Sequence, residues 1–98
     1  MKQFDLSIIV PLFNEEDCIV PLYESITGVL SHLDLTCEII FVDDGSKDRT
    51  FQISRELAQR DDRLRVIKFR KNYGQTAAMA AGIEHARGKI LITMDGDL

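Results

Sequence analysis

Cysteine is scarce in this 98-residue chain: only Cys18 and Cys37 are present, with no C-x-x-C pair and no clustering with histidine. A disulfide framework and a cysteine-based zinc site are therefore excluded, and the pair reads as free, mostly buried thiols of a reducing compartment. Long hydrophobic runs are missing too. The first apolar stretch is cut at Pro11, too short for a signal peptide or a membrane span, so the expected location is cytoplasmic. No broad basic face stands out, and the net charge is −4, which argues against nucleic acid as a partner. Internal repeats, low-complexity segments and interdomain linkers are also absent. The length and the 45% hydrophobic content fit one domain, or part of one. A chain of this size buries roughly 60–65% of its unfolded surface, so its stability is expected to be modest.

What is present is strand and helix in alternation. Leu6 to Val10 reads as a first strand ended by Pro11, followed by the polar turn Asn14-Glu15-Glu16-Asp17. Pro21 suits the first turn of a helix in which Ile19, Leu22, Tyr23, Ile26, Val29, Leu30 and Leu33 recur at three- and four-residue spacing, the signature of one face packed on a sheet. Glu38 to Val42 is a second strand running into Asp43-Asp44-Gly45-Ser46. Ser46 is expected to cap a helix from about Lys47 to Arg60, with Asp48 in its first turn and Ile53 and Leu57 on its buried face. Leu64 to Phe69 alternates more than the other strands and should lie nearer an edge. A third helix, about Gln75 to Ala86, carries Ala77, Ala78, Ala80, Ala81 and Gly82 and can approach the sheet closely, with Gly88 as its C-cap. Ile90 to Thr93 then reads as a buried parallel strand whose tip emerges at Asp95-Gly96-Asp97. Four strands alternating with three helices predict an α/β fold, a Rossmann-like parallel sheet in the order β-α-β-α-β-α-β.

In such sheets the ligand sits beyond the C-terminal ends of the strands. Three acid-bearing turns fall there: Asn14-Glu15, Asp43-Asp44 and Asp95-Gly96-Asp97. The Gly-x-Gly-x-x-Gly of dinucleotide enzymes does not follow the first strand, and no Gly-rich Lys-Ser/Thr phosphate loop occurs, so an ordinary dehydrogenase or P-loop enzyme is not expected. An acidic rim repels a diphosphate unless a divalent cation, Mg²⁺ or Mn²⁺, bridges the two.

Taken in order, Ser7-Ile8-Ile9-Val10-Pro11-Leu12-Phe13-Asn14-Glu15, Val42-Asp43-Asp44-Gly45-Ser46-Lys47-Asp48-Arg49-Thr50, Asn72-Tyr73-Gly74 and Met94-Asp95-Gly96-Asp97-Leu98 resemble family 2 of the inverting glycosyltransferases, which have the GT-A nucleotide-sugar-binding fold. The segment Arg70 to Met79 most resembles the branch that glycosylates dolichyl or undecaprenyl phosphate. The resemblance implies that residues 1–98 are the nucleotide-sugar-binding segment of such an enzyme, cut off after the Asp-x-Asp motif. It further implies that Pro11, Phe13 and Glu15 line a base pocket and that Asp44 hydrogen-bonds the base or ribose. Gly74 would let backbone approach the ligand at a helix N-terminus, and Asp95 and Asp97 would hold the metal and the diphosphate, Asp97 being favoured as the direct ligand. The expected partners are a UDP- or GDP-linked sugar and, through residues beyond Leu98, a lipid-phosphate acceptor at the cytoplasmic face of a membrane. No catalytic base is expected within the chain.

Plainer readings accompany each of these. Pro11 alone is a strand-ending proline, Asp43 and Asp44 could serve the dipole of the next helix, Gly74 could be a simple turn glycine, and Asp95 and Asp97 could solvate a strand end. Lys68, Arg70 and Lys71 form a small basic group that reads first as a solvated face, with phosphate or an anionic membrane surface as the alternative. His32 and His85 have no partner ligands, and Met79 is packing. Rival functions are nucleotidyl transfer, disfavoured by the lack of a Gly-rich basic loop after strand one, a non-catalytic nucleotide-binding or assembly module on the same fold, and glycosyl transfer to a saccharide hydroxyl. The isolated segment is expected to be inactive and, through an open edge on its fourth strand, to self-associate.

Overall fold

A computed structural model of the chain describes residues 3–95. Its elements run β1 (Phe4–Leu12), α1 (Ile19–Leu30), β2 (Cys37–Asp43), α2 (Thr50–Arg60), β3 (Leu64–Lys68), α3 (Gln75–His85) and β4 (Gly88–Thr93). The four strands form one parallel sheet in the order β3-β2-β1-β4. Continuous apolar sequence in β1 and β2 is what a strand covered on both faces requires. Leu6, Ile8, Val10 and Leu12 join Ile39 and Phe41 on one face, beneath Ile19, Leu22, Ile26 and Leu30 of α1, with Ile53 and Leu57 of α2 packed against them. Ile9, Ile40 and Val42 face the other way, against Ala78 of α3. The alanine-rich stripe of α3 has the predicted effect. A Cβ placed on Gly82 would stand 2.3 Å from Ile9 Cγ2 and 3.3 Å from Val42 Cγ2, so the helix is seated as close as a glycine permits.

Several boundaries differ from the sequence reading. Proline does not end β1, which continues through Pro11 to Leu12 with Pro11 level with Val42. Ile9 turns its carbonyl toward β4, accepting from Met94 N–H, while Leu12 accepts from Asp44 N–H on the β2 side. By alternation the missing N–H of Pro11 faces β4, just where the described ladder to that strand stops, so the ring costs no pairing. The helix α2 starts at Thr50 rather than Lys47, and Ser46 does not cap it. Asp48 bonds Thr50 N–H instead (2.9 Å), while the Ser46 hydroxyl is drawn away to Asn14 N–H (2.8 Å).

Gly88 is no C-cap but the first residue of β4. A Cβ there would lie 2.5 Å from both Ser7 N and Ser7 Oγ, and Gly88 N–H donates to that hydroxyl at 2.8 Å. The edge position of β3 is as expected. Burial of β4 is not found: Ile90, Leu91 and Ile92 are 57%, 42% and 43% exposed, because β4 is the other edge of the described sheet. Val29 and Leu33, expected on the packed face of α1, are likewise exposed. Together with Ile92 and Met94 they line an apolar groove of about 260 Å³. Among the described residues no helix is long and apolar enough to cross a membrane, and both cysteines are free, Cys37 buried and Cys18 partly so.

Candidate active site

The loops after the four strands meet at one rim, and their polar side chains knit them together. Asn14, immediately beyond β1, takes a left-handed conformation with φ 52°, which asparagine tolerates better than most residues. Its N–H donates to Ser46 Oγ, and its Oδ1 accepts from Lys47 N–H at 2.9 Å. Glu15 N–H donates to Thr50 Oγ1 (2.8 Å), and Glu16 N–H to Asp48 Oδ2 (3.2 Å). Burial works against charge on Asp48, but the hydrogen bonds from Thr50 and Glu16 outweigh it and hold its carboxyl below the usual range. The turns after β1 and β2 are thus one unit, although about thirty residues separate them in sequence.

Asp43 and Asp44 are both buried, yet they do different things. Oδ1 of Asp43 accepts from Ser46 N–H (3.1 Å), while its buried Oδ2 has no partner among the described residues. Asp44 is fully engaged. Its carboxylate accepts from Asn72 Nδ2 (3.0 Å), Tyr73 N–H (2.8 Å) and Gly74 N–H (3.0 Å). Gly74 is the N-cap of α3, with φ 104°, a conformation open mainly to glycine. A Cβ at that position would touch nothing, so the backbone angle and not space selects the residue. The anion at the start of α3 is therefore Asp44 itself, placed where a helix N-terminus favours negative charge. Neither acid serves α2, the plainer alternative for the pair. Gly45 completes the turn with φ 74°, and a Cβ there would fall 2.3 Å from the carbonyl carbon of Lys71. The 69–74 loop therefore lies directly on the β2 turn.

The other expected site residues are placed as follows. Pro11 is buried in β1, Phe13 is 42% exposed at the rim, and Glu15 is partly exposed with no hydrogen bond on its carboxylate among the described residues. Asp95 is exposed beyond β4, and its Oδ1 accepts from the side chain of Gln75 (3.1 Å), the first residue of α3. Asp97 lies outside the described residues. No group of three metal-ligating side chains occurs among those described. Asp95 nonetheless keeps one carboxylate oxygen free, and a single hard oxygen ligand completed by phosphate oxygens and water suits Mg²⁺ or Mn²⁺. The sequence reading gave no ligand role to Asn72, Gln75, Asp48 or Thr50, although Asn72, Asp48 and Thr50 stand within the motifs that carry the family resemblance; Asp48, expected in the first turn of α2, instead precedes the helix. Their partners lie mostly in other loops.

Comparison with known proteins identifies the family and the fold. The family model for glycosyl transferase family 2 matches residues 7–98. The chain belongs to that family. A dodecaprenyl-phosphate galacturonate synthase of Rhizobium johnstonii is 43% identical over 99 residues, covering 100% of this chain but 29% of the relative. The TarS fragment 1–349 of S. aureus, solved in complex with UDP, superposes with a TM-score of 0.78 at 30% identity, over 95% of this chain and 27% of that one. The mannosyltransferase PcManGT of Pyrobaculum calidifontis, solved with GDP-Man and Mn²⁺, gives 0.74 at 25% identity, over 99% and 28%. The chain thus spans less than a third of the proteins it matches. This family 2 chain has the parallel sheet of the GT-A fold and is related to polyprenyl-phosphate sugar transferases, in keeping with the resemblance read from residues 70–79.

Proposed function

We propose that the protein to which this chain belongs transfers a sugar, with inversion and with a divalent metal, from a UDP- or GDP-linked donor to a polyprenyl phosphate, and that residues 1–98 supply the donor side. The observation that carries this reading is the interlocked rim of Asn14, Asp44 and Asn72–Gly74 with Asp95 beside it, in a chain 43% identical to a dodecaprenyl-phosphate galacturonate synthase.

In this proposal Pro11, Phe13 and Glu15 border the base, Phe13 offering an exposed ring edge and Glu15 an unengaged carboxylate. Asp44 accepts a base N–H or a ribose hydroxyl in exchange for one of the donors it now holds from residues 72–74, so nucleotide arrival would reset that loop. Gly74, whose N–H points to Asp44, then contributes backbone to the ligand. Asp95, steadied by Gln75, and Asp97 hold the metal and the diphosphate. When bound, the metal supplies positive charge to the departing nucleoside diphosphate. The acceptor phosphate oxygen forms a bond to the anomeric carbon as the bond from that carbon to the diphosphate oxygen breaks, and the electron pair leaves with the diphosphate. A phosphate acceptor is already anionic near neutral pH, so this reaction asks no general base of the chain.

The test is thermal unfolding of the purified chain with Mn²⁺ and either UDP or GDP, beside Asp44→Asn and Asp97→Asn. A nucleotide at about a hundred times its dissociation constant adds roughly 2.7 kcal/mol. A metal-dependent shift with one nucleotide, lost in both variants, is expected. A shift that survives both variants would remove these residues from the donor site.

A further inference from the structure

We propose that the loop after β3, centred on Arg70, Lys71 and Tyr73, is a docking surface for an anionic membrane leaflet. Residues 63–83 hold five of the twelve basic residues of the chain and none of its sixteen acidic ones, so the net charge of −4 conceals a positive segment. The fold then divides those five. Arg63 and Arg65 pair with Asp61 (2.9 Å) and Glu38 (2.8 Å) near the N-terminal end of the sheet. Lys68, Arg70 and Lys71 are exposed and join no ion pair among the described residues.

The aromatic residues beside them complete the patch. Tyr73 is 57% exposed, its ring meets Phe69 edge-on at 5.6 Å, and the ammonium of Lys71 lies 5.2 Å from its centroid. The backbone beneath is held from below by Asp44 and by the close seat of Gly45 under Lys71 and Asn72. These side chains therefore project from a fixed frame.

A short basic run around an aromatic ring with a polar tip suits the headgroup layer of a bilayer. A nucleic acid would cover more surface and meet the rest of the chain, whose acids outnumber its bases. A leaflet touches only the plane of the patch, and charges beyond about 8–10 Å are screened from it. Each basic side chain at an anionic leaflet is worth about fivefold in partition, so Arg70 and Lys71 together give about 25-fold, while Lys68 is drawn over the Phe51 ring of α2 at 4.6 Å. The argument stands on the patch alone and does not need the proposed sugar transfer.

Co-sedimentation of the purified chain with vesicles of phosphatidylcholine, with or without phosphatidylglycerol, tests it. Retention is expected only with phosphatidylglycerol at low salt, and added salt should release it. Changing Arg70→Ser and Lys71→Ser together should lower the partition coefficient about 25-fold. Arg55→Ser with Arg60→Ser, the same loss of charge on the exposed side of α2, should change it little. All four positions are exposed, and unchanged urea midpoints would certify that both double variants fold. Failure to bind phosphatidylglycerol vesicles, equal binding to neutral ones, or equal loss in the two double variants overturns the proposal. So does release by inorganic diphosphate at constant ionic strength, which would give the basic group to a soluble phosphate without engaging Asp44.

Discussion

The two ends of the sheet treat their carboxylates in opposite ways. Near the N-terminal end, the two ion-paired acids are each matched to an arginine, and only partly exposed Asp5, bonded by Thr36, relies on neutral donors among the described residues. Glu38, 1% exposed, accepts from Arg65, Ser7 Oγ and Arg87 N–H, and Asp61 accepts from Arg63 and Tyr23. At the C-terminal rim, Asp43, Asp44, Asp48 and Asp95 accept only from neutral donors: backbone N–H groups, hydroxyls and side-chain amides. The first arrangement is complete and seals the foot of the sheet. The second leaves these carboxylates without a cationic partner, and one buried oxygen of Asp43 without any partner, among the described residues. The contrast separates acids neutralised by arginine from acids that hold loop backbone through neutral donors alone.

Breaking the foot should cost most. Glu38→Ala removes the buried acceptor of the Ser7 hydroxyl and Arg87 N–H and the carboxylate partner of Arg65, which keeps only the His85 carbonyl and solvent, and a loss of about 3 kcal/mol is expected in urea unfolding. Removal of the whole network by apolar replacement of Ser7, Glu38 and Arg65 together should cost less than the single change, since no charge is then left unpaired. Gly45→Ala strikes the rim instead, through a strained positive φ and a clash with the Lys71 backbone; about 2 kcal/mol is expected. Hydrogen exchange should locate that loosening in residues 69–74 and leave Glu38 and its strand protected. The smallest effect concerns acid. Hydrogen bonds from Arg63, joined by Tyr23, outweigh burial and pull the Asp61 carboxyl down to about 2. The sign follows from a lowered folded-state value: the contribution is whole above the unfolded range near 4 and fades as pH falls toward 2. Discounted for the half-exposed Arg63, it amounts to about 1 kcal/mol. In Asp61→Asn, acid unfolding between pH 4 and 2 should be correspondingly shallower.

Much of this was legible along the chain because it depends on local periodicity. The buried stripe of α1, the close packing of α3 and the edge position of β3 follow from the spacing of Ile19, Leu22 and Ile26, from Ala78 and Gly82, and from the alternation of Leu64 to Lys68. What escaped the sequence depends on partners far away. Ser46 has the chemistry of a helix cap but bonds Asn14, 32 residues earlier, and Asp48 takes its place. The exposure of β4 could not be read from Ile90, Leu91 and Ile92, whose apolar run describes a covered strand, whereas among the described residues β4 is an edge. Of the candidate site, the position of Glu15, Asp43, Asp44 and Asp95 at or just past strand ends could be read from the sequence. That Asp44 anchors Asn72 to Gly74, and that Gln75 meets Asp95, required the loops to be brought together.

The small seat of Gly88 on Ser7 has a consequence at the far end of the same strand. A parallel pair can in principle slide by two residues and keep its faces, and the exposed side chains of β4 offer little resistance to such a shift. Here sliding would drive the Cβ of Ile90 into the backbone of Ser7, which already excludes even a methyl group at 2.5 Å. Gly88 therefore works as an index mark for the strand. It fixes how far β4 extends past β1, and so sets the height at which Asp95, seven residues and roughly 23 Å further on, emerges two positions beyond the Ile9–Thr93 pair.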